Sequence, residues 1–229
     1  MIGIICGMAS EARCITRAPC AEQFTVRVSG ASAARARDHA ADLAAGGARA
    51  LISFGLSGAL DPECVPGELL LVVKTVLPNG NAIATDSLLF RKLSERIANL
   101  EAAFGPLPPR TATIVGSEYV IGSGEAKQSL RRRTEAMAVD MESHAVASVA
   151  HGCGIAYAAI RAIADPADRA IPQTAMAGLA PDGTTRPLRV IRELMARPQD
   201  LPALLQLGRD ARAGLTALRG AALHLLPAL

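Results

Sequence analysis

Short apolar runs bounded by glycine or polar residues alternate with alanine-rich, arginine-bearing stretches of helical period along the chain. Apolar runs of this length, without alternation of polar residues, read as strands buried on both faces, and their alternation with helical segments is the pattern of an α/β domain. Strands are predicted at 2–6, 24–28, 50–54, 69–76, 111–115, 136–139 and 155–160, and helices at 10–18, 31–45, 87–100, 125–133, 141–151, 186–195 and 203–225. The last helix carries Leu204, Leu207, Ala211, Leu215, Leu218 and Leu225 at helical spacing, with Arg209, Asp210, Arg212 and Arg219 mostly elsewhere. It is read as an amphipathic helix packed on the sheet. Its apolar tail, 223–229, leaves a peripheral membrane contact open.

With 229 residues, 50% of them hydrophobic, the chain can bury one large core. The 14 prolines and 20 glycines are spread rather than clustered, and no linker, charge block or internal repeat divides the sequence. The expectation is a single α/β domain over 1–229, with a central, mixed, mostly buried sheet flanked by helices. The net charge of +3 includes one basic run, Arg131-Arg132-Arg133, and aromatics make up only 3% of the chain, which argues against a nucleic-acid partner. Five cysteines without CxxC spacing argue against both a disulfide framework and a metal site, and place the chain in a reducing, cytoplasmic compartment. The start, Met1 to Met8, lacks a basic leader and runs straight into Glu11 and Arg13, so it reads as a buried first strand rather than a signal peptide. No apolar run is long enough to span a bilayer.

Candidate chemistry concentrates in two acidic segments, Val139-Asp140-Met141-Glu142-Ser143-His144-Ala145 and Arg161-Ala162-Ile163-Ala164-Asp165-Pro166-Ala167-Asp168. Each places a carboxylate where an apolar strand ends, the edge at which open α/β sheets hold ligands. A carboxylate there costs free energy unless it is paired or hydrogen-bonded. Three glycine-bearing or serine-bearing turns accompany them: Gly7-Met8-Ala9-Ser10-Glu11, Val28-Ser29-Gly30-Ala31-Ser32 and Phe54-Gly55-Leu56-Ser57-Gly58-Ala59. Small residues after a strand let backbone N–H groups approach a ligand, and a helix start favours an anion.

Singly, each acidic residue has a bland reading. Glu142 and Glu11 suit the first turn of a helix, and Asp165 before Pro166 suits a turn or cap. Asp140 is read as a cap or support for Glu142, Arg161 as the neutraliser of a neighbouring carboxylate, and Asp61 and Asp168 as loop-shaping residues. His144 is read as a packed histidine, and Cys6 and Cys153 as small core residues. All three carboxylates serving only as caps, in this order, is far less economical than one site.

The ordered set Gly3-Ile4-Ile5, Met8, Glu11, Ser29-Gly30, Gly55-Leu56-Ser57-Gly58-Ala59-Leu60, Val139-Asp140-Met141-Glu142 and Arg161-Ala162-Ile163-Ala164-Asp165 resembles the purine nucleoside phosphorylase and methylthioadenosine/S-adenosylhomocysteine nucleosidase superfamily. Within it, the segments 54–62, 140–147, 163–170 and the ending from Arg197 onward are most similar to the hopanoid-associated phosphorylases. The resemblance implies that Asp165 protonates N7 of adenine as the glycosidic bond breaks, and that Glu142 accepts hydrogen bonds from the ribose hydroxyls beside an apolar wall from Met141. Glu11 matches the glutamate that activates water in the nucleosidases, and Ser57, Gly58, Met8 and Val120 fall at substrate-facing positions. Val120 stands where the nucleosidases place a stacking phenylalanine, with Tyr119 its neighbour.

For phosphate, the candidates are Arg13, Ser29, Gly30 and Arg35. Ser53 and Leu56 stand where the hexameric phosphorylases carry an arginine and a serine, so those ligands do not carry over. The resemblance implies no metal and no cofactor, with inorganic phosphate as co-substrate, and a homo-oligomer. A 5′-substituted adenine nucleoside is the implied substrate, lipid-linked if the subgroup holds. Met8, Leu56, Leu60, the 172–179 segment and the aliphatic C-terminus are then expected to supply an apolar 5′ pocket. Hydrolysis of methylthioadenosine or S-adenosylhomocysteine, or nucleoside binding without turnover, are the alternatives.

Overall fold

The computed structural model describes residues 1–100, 107–177, 184 and 186–229. In it the chain runs β1 (Ile2–Cys6), α1 (Ala9–Thr16), β2 (Phe24–Val28), α2 (Ala33–Ala45), β3 (Ala50–Ala59), β4 (Leu69–Val76), β5 (Ala82–Ala84) and α3 (Ser87–Asn99). It continues through β6 (Arg110–Gly116), α4 (Gly124–Thr134), β7 (Ala138–Asp140), α5 (Ser143–Gly152), β8 (Ala156–Asp165), α6 (Gln173–Ala177), α7 (Pro187–Ala196) and α8 (Leu201–His224).

The strands form one mixed sheet. β1 lies between β2 and β3 and is parallel to both. β3 pairs in parallel with β8, which turns antiparallel to β4; β4 is parallel to β6, β6 to β7, and β7 returns antiparallel to β3 at Gly58 and Ala59. Five strands therefore close on themselves in a barrel-like ring, while β1, β2 and β5 extend from it.

Successive strand residues point to opposite faces, and both faces are covered. Ile4, Ile52, Phe54, Leu71 and Ile160 pack under α1, α3 and α8, whereas Ile5, Leu51, Leu70 and Ala159 pack under α2 and α5. Each fully buried large aliphatic residue contributes about 1.5–3 kcal/mol, so the continuous apolar runs, rather than any alternation, hold the sheet in place.

Two strands extend further than the apolar runs suggest. β3 does not stop at Phe54: Gly55, Leu56 and Ser57 stay in register with Arg161, Ala162 and Ile163 of β8, with a bulge before Gly58. The segments 55–59 and 161–165 are thus strand rather than loop. On the β8 side the ladder carries Arg161, whose buried guanidinium finds partners in Asp140, Ser53 and Ser143. β5 and α6 carry no signal strong enough for the sequence to announce, since each is short.

Helix α5 starts at Ser143, not 141, because the Asp140 carboxylate accepts the Ser143 N–H at 3.0 Å and ends the strand and caps the helix together. Cys6 is buried as expected, but Cys153, just past the end of α5, is exposed. Of the apolar tail, Leu225 and Leu226 are fully buried in the core beside Leu218 and Ala222, whereas Leu223 is exposed. Among the described residues no helix is long and apolar enough to cross a membrane.

Candidate active site

Glu11 sits in the first turn of α1, directly after β1, and its carboxylate does more than favour the helix dipole. One oxygen accepts the Met8 N–H at 2.8 Å and the other accepts the Leu56 N–H at 2.9 Å, tying the α1 start to β3. Burial raises its pKa above the ordinary value, against the pull of those N–H groups and of Arg161.

Arg161, fully buried on β8, organises the centre. It forms a close ion pair with Asp140 and lies 3.8 Å from Glu142. Its guanidinium also donates to Ser143 Oγ at 2.8 Å, to Ser53 Oγ and to the Leu56 carbonyl at 3.4 Å. The arginine read from the sequence as neutralising a carboxylate thus lies against two of them, and Ser53 is among its partners. Glu142 immediately precedes α5 and accepts no capping bond there. Burial raises its pKa to about 8; Arg161 opposes the shift, and Asp140 and Glu11 add to it. Three carboxyl groups thus surround one guanidinium, and burial biases two of them, Glu11 and Glu142, toward the protonated form.

Asp165 ends β8. Burial raises its pKa too, opposed chiefly by Lys127. Lys127, on α4, is buried and was not singled out by sequence reasoning; its ammonium pairs with Asp165 Oδ2 and donates to the carbonyls of Pro166 at 2.7 Å and Arg169 at 3.2 Å. The available signal was faint: Lys127 is one of three lysines in an arginine-rich chain, but no motif connects it to a strand end 38 residues away.

Glycine makes room for each carboxylate. A Cβ on Gly7 would stand 2.8 Å from Glu142, one on Gly55 would stand 2.8 Å from Glu11, and one on Gly58 would stand 3.1 Å from Asp165. Two of the three turns, at Gly7 and at Gly55 to Gly58, therefore bear on the site by letting side chains approach.

Glu11, Asp140, Glu142 and Asp165 all line one cleft, with Gly7, Met8, Leu56, Ser57, Gly58 and Met141. Tyr119, Val120, Ile121, Val139, Ala164 and Ile171 add a largely apolar wall, and Ala31 completes it. Ser57 Oγ is buried without a hydrogen-bond partner, a donor and acceptor available to a ligand. Tyr119 is strongly exposed, at 78%, so of the two neighbours Val120 is the more enclosed.

Other expected residues stand apart. Arg13 is exposed on α1 and does not line the cleft. Arg35 donates to the backbone carbonyls of Ser29 and of Gly30, the latter at 2.9 Å, and so braces the turn next to Ala31 without lining the cleft itself. Ser29 is buried and donates to the Cys6 carbonyl at 3.3 Å. Of the residues expected at a 5′ pocket, Met8 and Leu56 line the cleft, but Leu60 is buried against Val76, Val115 and Val139, and Leu225 and Leu226 belong to the core. Of the 172–179 segment, 178 and 179 lie outside the described residues; Ile171, just before it, lines the cleft. His144 is packed, its Nε2 3.0 Å from Glu118. Asp61 accepts the Glu63 N–H at 3.1 Å and pairs with Arg131 at 2.9 Å, the loop-shaping role expected of it.

Residues 25–192 match the family model described as the phosphorylase superfamily. That range contains Glu142 and Asp165, whereas Glu11 precedes it. No curated protein matches the chain. Among solved structures, the fold is similar to the 5′-methylthioadenosine/S-adenosylhomocysteine nucleosidase of Neisseria meningitidis in complex with methylthio-immucillin-A, at 15% identity and a TM-score of 0.74, covering 100% of this chain and 99% of that one. It is also similar to the futalosine hydrolase of Helicobacter pylori, at 18% identity and a TM-score of 0.67, over 96% and 95% of the two chains. The S-adenosylhomocysteine nucleosidase of Streptococcus pyogenes, bound to a methylthio-nucleoside analogue, matches at 14% identity and a TM-score of 0.66, over 96% and 94%.

Proposed function

The chain belongs to the phosphorylase superfamily, and on that premise we propose that its cleft cleaves the N-glycosidic bond of a 5′-substituted adenine nucleoside and releases adenine. One observation carries this reading: Glu11, Glu142 and Asp165, buried and drawn from distant parts of the chain, line a single cleft with an apolar wall. As the bond breaks, positive charge builds on the ribose and negative charge on the base. The oxygens of Glu11 and Glu142, fixed in place by the fold, are matched to that cation, since preorganised dipoles act on the transition state without reorganisation. Glu142, beside Met141, accepts the ribose hydroxyls. Asp165 keeps Oδ1 for the purine while Lys127 holds Oδ2, and its raised pKa lets it carry the proton that N7 takes.

The acceptor in this reading is phosphate and the 5′ substituent a lipid, both supported by the likeness to hopanoid-associated phosphorylases. The turn at Ser29 and Gly30, braced by Arg35, is the anion position it uses. A second reading, hydrolysis, is favoured by one observation: among the described residues lining the cleft none is cationic, while Glu11 is held in place by two N–H groups, as suits a base that activates water.

Adenine release from methylthioadenosine and from a lipid-linked adenosine, with and without phosphate, tests both. Ribose 1-phosphate ends mark the first reading and free ribose ends the second. Asp165→Asn is expected to lower the rate by about 10²–10⁴-fold with nucleoside binding retained. A full rate in that variant would sink the assignment.

A further inference from the structure

Among the described residues, α7 (Pro187–Ala196) carries a row of exposed large apolar side chains. In α7, at about 100° per residue, Val190 and Leu194 fall on one side and are half-buried. The adjacent stripe is Leu188, Ile191 and Met195, exposed by 80%, 53% and 73%. Arg192 and Arg189 follow round the helix, both exposed, and Arg186 precedes its first turn. Arg192 lies 3.6 Å from Glu193, the one acid of the helix. This face belongs to the same stretch of chain as the cleft wall: α7 packs on α6, which begins two residues after Ile171.

Large apolar side chains set in a row at this exposure mark an interaction surface. A short helix with an apolar stripe bordered by arginines has the chemistry of a segment that lies in the headgroup layer of an anionic bilayer, stripe inward and guanidinium groups toward phosphate. We propose that the Leu188, Ile191 and Met195 face of α7, with Arg186, Arg189 and Arg192 beside it, seats the protein on an anionic lipid surface. The purpose of such docking, taking a lipid-linked nucleoside from the membrane, rests on the function proposed above; the docking itself does not.

Sedimentation of the full chain with vesicles of phosphatidylcholine, or of phosphatidylcholine with phosphatidylglycerol, tests it. The protein is expected to pellet with the anionic vesicles only, and less as salt rises. Replacing Arg189→Gln and Arg192→Gln should weaken binding about fivefold for each arginine, and Leu188→Ser, Ile191→Ser and Met195→Ser together should abolish it. Adenine release from water-soluble methylthioadenosine should be the same in all these variants; if none of them, wild type included, releases adenine while vesicle binding persists, the proposed function fails and the docking stands. Wild-type protein that stays in the supernatant, binds both vesicles equally or still pellets after the serine substitutions overturns the docking. A serine variant that falls to a smaller species in sedimentation velocity overturns it as well and assigns the face to a second copy.

Discussion

Lys127 and Asp165 form a buried ion pair across the gap between α4 and the end of β8. A general acid held beside an ammonium is biased toward its ionised form, whereas burial biases it toward the protonated one; burial prevails. The balance sets when Asp165 can deliver a proton, so Lys127 is a positioning and tuning residue for it.

Lys127→Met should therefore move the alkaline limb of the adenine-release profile to higher pH, because removing the cation favours protonated Asp165. The rate at the optimum should fall by about 10²-fold as the carboxyl group loses its fixed placement. Lys127→Arg should recover part of both. A pH–rate profile unchanged in the methionine variant would show that the pair is only structural.

Arg161→Met should be among the most damaging single changes. It leaves the Asp140 and Glu142 carboxyl groups buried without their cation, and breaking a buried pair from one side destabilises by about 3–5 kcal/mol. Denaturant unfolding measures this. Adding Asp140→Asn to Arg161→Met should restore part of the loss, since the remaining partner then carries no charge.

Gly55→Ala places a methyl group 2.7 Å from the Arg161 guanidinium and 2.8 Å from Glu11. Overpacking of this kind costs about 1–3 kcal/mol, and here it also displaces two groups of the site, so stability and adenine release should fall together. Gly208→Ala is the control: nothing lies within 4 Å of its added carbon, and at this exposed position of α8 the change should stabilise by about 0.5–1 kcal/mol.

Glu142 links stability to pH. Its folded pKa of about 8 stands above the ordinary value of 4.5, so the fold favours the protonated carboxyl. That contribution is fully present below about pH 4.5 and is lost as pH rises through about 8. Glu142→Gln should flatten the fall in Tm across this window. A Tm profile with the same slope in wild type and variant would contradict the raised pKa.

Much of this architecture was legible in residue order. Continuous apolar runs such as Leu69 to Val73 announce strands buried on both faces, because only a covered sheet tolerates them, and the helical periods between them announce the α/β class. The carboxylates Glu11, Glu142 and Asp165 were visible as acids adjoining apolar strands. What residue order could not supply was distance. That β3 runs on through Gly55 to Ala59, that Gly7, Gly55 and Gly58 each give way to a carboxylate, and that Lys127 reaches Asp165 are consequences of a ring of strands closing on itself. Local propensity extends over a few residues, whereas these contacts join segments tens of residues apart, and only packing in three dimensions decides which charges meet.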